Sequence, residues 1–346
     1  YTVPTRSANR LRWCQTVRAV VVRNGTRNVL AGGNLFKTMR HRNLLYFLVL
    51  SAVWGSAFTA IKAGLEYFPP VLFAALRFDI AGLFLVAYAA YTSDRLRPTG
   101  RAEWLDVAAS GVLIIAGYHA LLFVGEQYTT SAAAAVVVVL NPVATTAFAR
   151  VFLPDERLSA AGIAGLLLGL GGVVALVGVD PAGLASGRGV GVALVFGATV
   201  AFSLGSVLSR RSGSTLPSEA STAWSMLVGA VVLHAGSLAY GEGVGGVALS
   251  IEAVGALAYL AVVASGLGFL IYFDLLERLG PVEINLVSYA APVVAAATGL
   301  LLLGEVPTVQ TGVGFLAICG GFALVKRRAL AAGVGRLRRG GVGDDA

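Results

Sequence analysis

Long continuous apolar runs, separated by short polar and charged clusters, dominate the chain. A membrane helix needs about 20 such residues. That template fits ten times, at roughly 43–64, 71–91, 104–124, 130–151, 158–178, 189–209, 219–240, 252–274, 281–303 and 308–326. The runs are continuous and do not alternate, which excludes a closed β-barrel. The connections are mostly short, so 43–328 reads as one bundle with no soluble domain. The pattern predicts an all-α integral membrane protein of ten transmembrane helices.

Lys and Arg in the short loops orient such a bundle. Arg40 and Arg42 precede span 1. Arg95, Arg97 and Arg101 lie in loop 2–3, Arg150 and Arg157 in loop 4–5, Arg210 and Arg211 in loop 6–7, and Arg278 in loop 8–9. The tail carries Lys326, Arg327, Arg328, Arg336, Arg338 and Arg339, while the opposite loops hold only Arg188, with Lys62 near the end of span 1. This alternation predicts a multi-pass protein of the cytoplasmic membrane with both termini in the cytoplasm. One missed helix would invert the pattern downstream, so it also supports the span count.

Composition agrees. Of 346 residues 57% are apolar and 13% charged, about half the roughly 25% of a soluble protein. A soluble globule of this size could not cover its surface with so few charges. The net charge of +8 is concentrated at the start: residues 1–38 hold seven basic residues and no acid. Nucleic-acid binding would need those charges on one folded surface, so no nucleic-acid partner is expected. Met39 stands directly before Arg40, His41, Arg42 and span 1, and is expected to be the natural start. The alternative is an Arg-rich targeting segment over 1–38. Cys14 and Cys319 are too few for a disulfide framework or a Cys-based metal site. No phosphate loop and no His/Asp/Glu cluster with metal spacing occurs, so neither cofactor nor metal is expected.

The chain repeats itself. Pro142 lines up with Pro292, and an acid follows each apolar stretch, Asp155 or Glu156 in the first copy and Glu305 in the second. Gly165, Gly171 and Gly172 fall opposite Gly314, Gly320 and Gly321 at one constant offset, and Gly117 falls opposite Gly266. The organisation expected is a basic N-terminal segment (1–42), a first repeat (43–178), a second (189–328) and a cytoplasmic tail (329–346). Five spans per half is an odd number, so the halves sit upside down relative to each other. Inverted repeats with a midplane substrate site are a recurring plan of secondary transporters.

Three features carry a family resemblance: SAVWGSAFTAIKAGL in span 1, PPVLFAALRF entering span 2, and the doubled Pro, acid loop and Gly-Gly order. Together they resemble the EamA-type members of the drug/metabolite transporter superfamily. The resemblance covers nearly everything from Met39 to Arg328. It implies a ten-helix carrier of small metabolites, often amino acids or related compounds, frequently in the export direction. It also implies a cavity lined by spans 1, 3, 4, 6, 8 and 9. One departure is Pro154-Asp155-Glu156 in the first copy, where Leu-Gly-Glu is usual. An intramembrane enzyme would need a clustered nucleophile and base, which the sequence does not contain. A non-transporting scaffold is the other alternative, and a homodimer is compatible with the chain.

Several polar residues inside the spans are candidates for substrate contact or coupling. Arg77 lies about six residues into span 2, roughly 9 Å deep at 1.5 Å per residue, where a charge is costly. It can hold a substrate carboxylate or phosphate, or it pairs with a helix-end carbonyl or with Asp79. Asp79 and His119 can carry protons, or simply satisfy polar partners in the bundle. Tyr118 adjoins His119 in span 3, and Asn141 adjoins Pro142 in span 4. Trp54 and Phe58 share a face of span 1. Tyr272 and Phe269 of span 8 and Tyr289 of span 9 can form a facing aromatic wall, although aromatics more often only pack. Pro142 and Pro292 are expected kinks, either static bends or gate joints. His234 in span 7 has no motif around it. Asp274 and Arg278 are four apart and read as an ion pair. Glu283 suits the first turn of span 9, and Glu305 suits capping or loop structure rather than coupling. The glycine runs of spans 5 and 10 permit close helix contact.

Overall fold

The computed structural model describes residues 32–152, 160–177, 187–279, 284 and 286–325. Two compact units divide between Leu48 and Val49. The first is described only as the beginning of the opening helix; the second is the bundle treated below.

Among the described residues every long element is helical. They are α1 (Gly32–Gly64), α2 (Pro70–Thr92), α3 (Arg101–Glu126), α4 (Ser131–Phe152), α5 (Ala160–Val177), α6 (Gly187–Ser212), α7 (Ser218–Ala239), α8 (Ile251–Leu279), α9 (Val287–Leu303) and α10 (Val309–Val325). Seven of these are long and apolar enough to cross a membrane; α5, α9 and α10 are shorter apolar helices. Their outward faces remain apolar, with Leu83 63%, Leu167 65%, Leu301 80% and Leu316 71% exposed. Water would penalise such surfaces, whereas a helix that is hydrophobic all round belongs in lipid.

Local chemistry sets the boundaries. α2 begins on Pro70, whose missing N–H costs nothing in a first turn. The Thr130 and Ser250 hydroxyls accept the N–H groups of Ala133 and Ala253 and so start α4 and α8. α9 ends where Gly304 turns left-handed at φ +66°. Two expected boundaries differ. α8 continues to Leu279, because nothing in Asp274–Leu279 breaks a helix once Arg278 is paired to Asp274 at 2.7 and 2.8 Å. α9 is described from Val287; most of 280–286, including Glu283, lies outside the described residues, as do Asp155 and Glu156.

Glycines decide how the helices meet. A Cβ on Gly172 would lie 2.8 Å from the Gly314 carbonyl oxygen, and one on Gly321 would lie 2.5 Å from that of Gly165. α5 and α10 therefore pack antiparallel with their backbones in contact. Gly82 lies against Leu227 and Gly236 against Val71, so α2 and α7 are also antiparallel. Gly125 and Gly191 join α3 to α6 in the same way.

Candidate functional site

Two helices carry a wide, π-helical stretch midway: Ser110–Gly117 in α3 and Tyr259–Leu267 in α8. Their first residues stand at the same offset that relates Gly117 to Gly266. A π stretch displaces the regular i→i−4 bonds, opening the backbone to outside donors, and such stretches recur at functional sites. Side chains bond to residues of both stretches, two from other helices and one, His119, from α3 itself. Trp54 Nε1 of α1 donates to the Ala264 carbonyl at 3.1 Å. Arg77 Nε of α2 donates to Ser265 Oγ at 2.9 Å. His119 Nδ1 donates to the Ile115 carbonyl at 2.8 Å, which assigns the proton to that ring nitrogen. Three of the residues singled out from the sequence are thus tied to the two π stretches.

Arg77 is 7% exposed. Its guanidinium carbon lies 5.1 Å from the centre of the Phe78 ring. Among the described residues, only its Nε is hydrogen-bonded and no acid pairs with it. Asp79, one of the partners considered for it, is bonded instead to His234 Nε2 of α7 at 2.7 Å. The reason is angular: two residues on, a helical side chain points to another face.

Aromatic rings surround these anchors. Trp54 lies tilted against Phe269 at 5.8 Å and Tyr272 at 5.6 Å. Gly268 admits the indole, since a Cβ there would lie 2.9 Å from Trp54 Nε1. His119 meets Phe78 at 4.4 Å and Tyr118 at 4.6 Å, and Tyr118 meets Phe202 of α6 at 5.4 Å. Phe58 is buried in the same core.

Asn141 and Tyr289 make their contacts elsewhere. The Asn141 carbonyl accepts Ser203 Oγ of α6 at 3.2 Å, and the Tyr289 ring lies 4.6 Å from Phe322 of α10. Asn141 Oδ1 and the Tyr289 hydroxyl are buried without a partner. The two prolines differ in geometry. Val139 and Leu140 interrupt α4 just before Asn141 and Pro142, whereas Pro292 sits inside a continuous α9.

Polar networks close the two ends of the bundle. At one end, the buried Glu103 carboxylate accepts Arg95 and Thr215 Oγ1 (3.0 Å), and Asp106 accepts Ser221 Oγ (2.7 Å) and Ser209 Oγ. At the other, Glu242 accepts the Val71 and Leu72 N–H groups at 3.1 and 2.8 Å. There Glu305 accepts the Ser131 N–H at 2.9 Å, the capping role its position suggested. Lys62 Nζ donates to the carbonyls of Glu126 (2.6 Å), Gln127 (3.4 Å) and Thr129 (3.0 Å). Sequence reasoning passed over Glu126, because an acid at the end of a span reads as interfacial. It is fully buried.

The EamA-like transporter family model matches twice, over residues 41–178 and 189–327. This chain belongs to the EamA-like transporter family. It is a multi-pass membrane transporter. The Escherichia coli K12 protein named "Uncharacterized inner membrane transporter YedA" is 32% identical over 77% of this chain and 86% of its own length. The Bacillus subtilis protein named "Uncharacterized transporter YvbV" is 27% identical over 83% and 92%. A solved crystal structure aligns with TM-score 0.59 and 26% identity, over 84% of this chain and 99% of that one.

Proposed function

We propose that the protein is a secondary transporter of a small carboxylate-bearing metabolite, such as an amino acid. It works by alternating access of two inverted five-helix halves across the cytoplasmic membrane. Arg77 carries this reading. It is a buried guanidinium with no acid partner among the described residues and with its two terminal nitrogens free for a carboxylate. The tethers from Trp54, Arg77 and His119 to π stretches at equivalent places in α3 and α8 support a midplane site framed by both halves. The inverted arrangement is supported by the crossing of α5 and α10. Gly172 meets Gly314 and Gly165 meets Gly321, and the repeat offset turns one pair into the other. The loop charges support cytoplasmic termini, and the family resemblance favours export. Tyr118, His119, Phe58, Trp54 and Tyr272 line the site, and Pro142 is the gate joint.

The test is a thermal-shift screen of amino acids and other small metabolites on purified protein, since a ligand that binds only the folded state stabilises it. Hits are then followed by saturable flux in proteoliposomes. Carboxylates that stabilise the wild type but not Arg77→Gln are expected. Flux of no compound in the panel would favour a scaffold or an intramembrane enzyme instead.

A further inference from the structure

We infer that Glu126, rather than Asp79 or His119, is the proton-binding site of this transporter, charging and discharging as the adjacent end of the bundle opens and closes. Glu126 is the last residue of α3 and is fully buried. Neither of its carboxyl oxygens has a hydrogen-bond partner. Two further buried groups beside it are also unpartnered, the hydroxyls of Thr129 and Ser131.

The cationic and backbone donors at this end are committed elsewhere. Lys62 has three ammonium protons, and it directs them at three backbone carbonyls, of Glu126, Gln127 and Thr129. The Ser131 N–H goes to Glu305. Arg188 of α6 donates to Thr308 at 3.1 Å. The charges acting on Glu126 are Lys62 at the end of α1, Glu305 in the α9–α10 turn and Arg77 on α2. Where α6 meets this end, it presents Gly191, Leu194 and Val195 to the neighbouring Gly125, none of them titratable.

An ionised carboxylate with no hydrogen bond to either oxygen is expensive inside a membrane. The neutral acid costs far less. A metal ion or an organic ammonium is a poor occupant, because the Lys62 ammonium already stands beside the site and repels a second cation. The proton is the ligand that remains.

The site also sits where coupling needs it. The end of α1, the end of α3, the start of α4 and the α9–α10 turn converge on it, so elements of both repeats close it. Separating them admits water, which solvates and ionises the carboxyl; bringing them together restores the acid. The transfer balances with water alone: the proton leaves Glu126 Oε to solvent when this end opens, and the carboxylate takes one up from water reaching it from the opposite side of the membrane when this end closes.

Infrared difference spectroscopy on the protein in liposomes tests this without any substrate. The wild type is expected to show the carbonyl stretch of a free carboxylic acid, which bleaches as pH is raised. Glu126→Gln, an isostere of the protonated form, is expected to lose that band while folding normally; Asp79→Asn and Glu305→Gln keep it. A wild type with no titrating band, or a band that survives in Glu126→Gln, overturns the assignment. If the thermal-shift screen yields a transported compound, its flux should follow an imposed pH gradient in the wild type and ignore it in Glu126→Gln. Wild-type flux indifferent to the gradient overturns the coupling. The infrared result does not depend on Arg77 binding a carboxylate, so the two readings fail separately.

Discussion

Gly172 and Gly314 face each other so closely that a Cβ on either would lie within 2.9 Å of the other's carbonyl oxygen. Backbone, not side chain, is the contact surface between α5 and α10. Gly172→Leu is expected to force the helices apart and cost about 1–3 kcal/mol, the usual range for overpacking. Gly171, one residue earlier, has open space where a Cβ would go, so Gly171→Ala should leave the melting temperature unchanged or raise it slightly through the better helix propensity of Ala. Equal melting temperatures for all three proteins would show that the close approach is not required.

Arg77 offers a planar fork that lysine cannot copy. Arg77→Lys and Arg77→Gln should insert normally, because Phe78 and Ser265 still pack there, and lose transport. Losing one charge-assisted hydrogen bond costs about 1.5–3 kcal/mol, so affinity should fall roughly 10- to 100-fold. Flux measured against substrate concentration checks this; an unchanged half-saturation in Arg77→Lys would remove Arg77 from the binding site.

Lys62 closes the carbonyl end of α3 with three bonds. Lys62→Met keeps the aliphatic stem and strands those acceptors. A loss of about 1–3 kcal/mol is expected. Hydrogen exchange should quicken first in the last turn of α3 and the start of α4. Uniform exchange across the bundle would show that Lys62 has no local role at this end.

Asp79 and His234 bond across α2 and α7 at 2.7 Å, with side chains 40% and 39% exposed at the bundle's outer face. They should be energetically coupled. In a double-mutant cycle, Asp79→Asn with His234→Gln is expected to cost less than the sum of the singles, by about 0.5–3 kcal/mol. Strict additivity would make the pair incidental.

The membrane-spanning character of the chain was legible because hydrophobic length is a one-dimensional property. Each boundary that glycine, proline or a hydroxyl cap sets fell within a few residues of its run. The repeat was legible for the same reason, since equal offsets need no coordinates. Arg77, His119 and Trp54 stood out as polar or amphipathic groups in apolar runs. Their tethers did not, because a π stretch has no signature in residue order and, for Trp54 and Arg77, the partner lies some two hundred residues away.

Asp79 and Glu126 show the limit most clearly. Beside Arg77 in sequence, Asp79 reads as its natural partner, yet the helix turns it toward His234. At the end of an apolar run, Glu126 reads as an interfacial acid in water. It is buried because helices remote in sequence pack around that end of α3. The sequence by itself determined that this chain is a repeated set of apolar helices with a charge trapped in the second, since transfer from water to lipid depends on composition and length. Only the tertiary structure decided which polar groups find partners and which do not. Hydrogen bonding is satisfied by distance and direction, and helices from both repeats supply both.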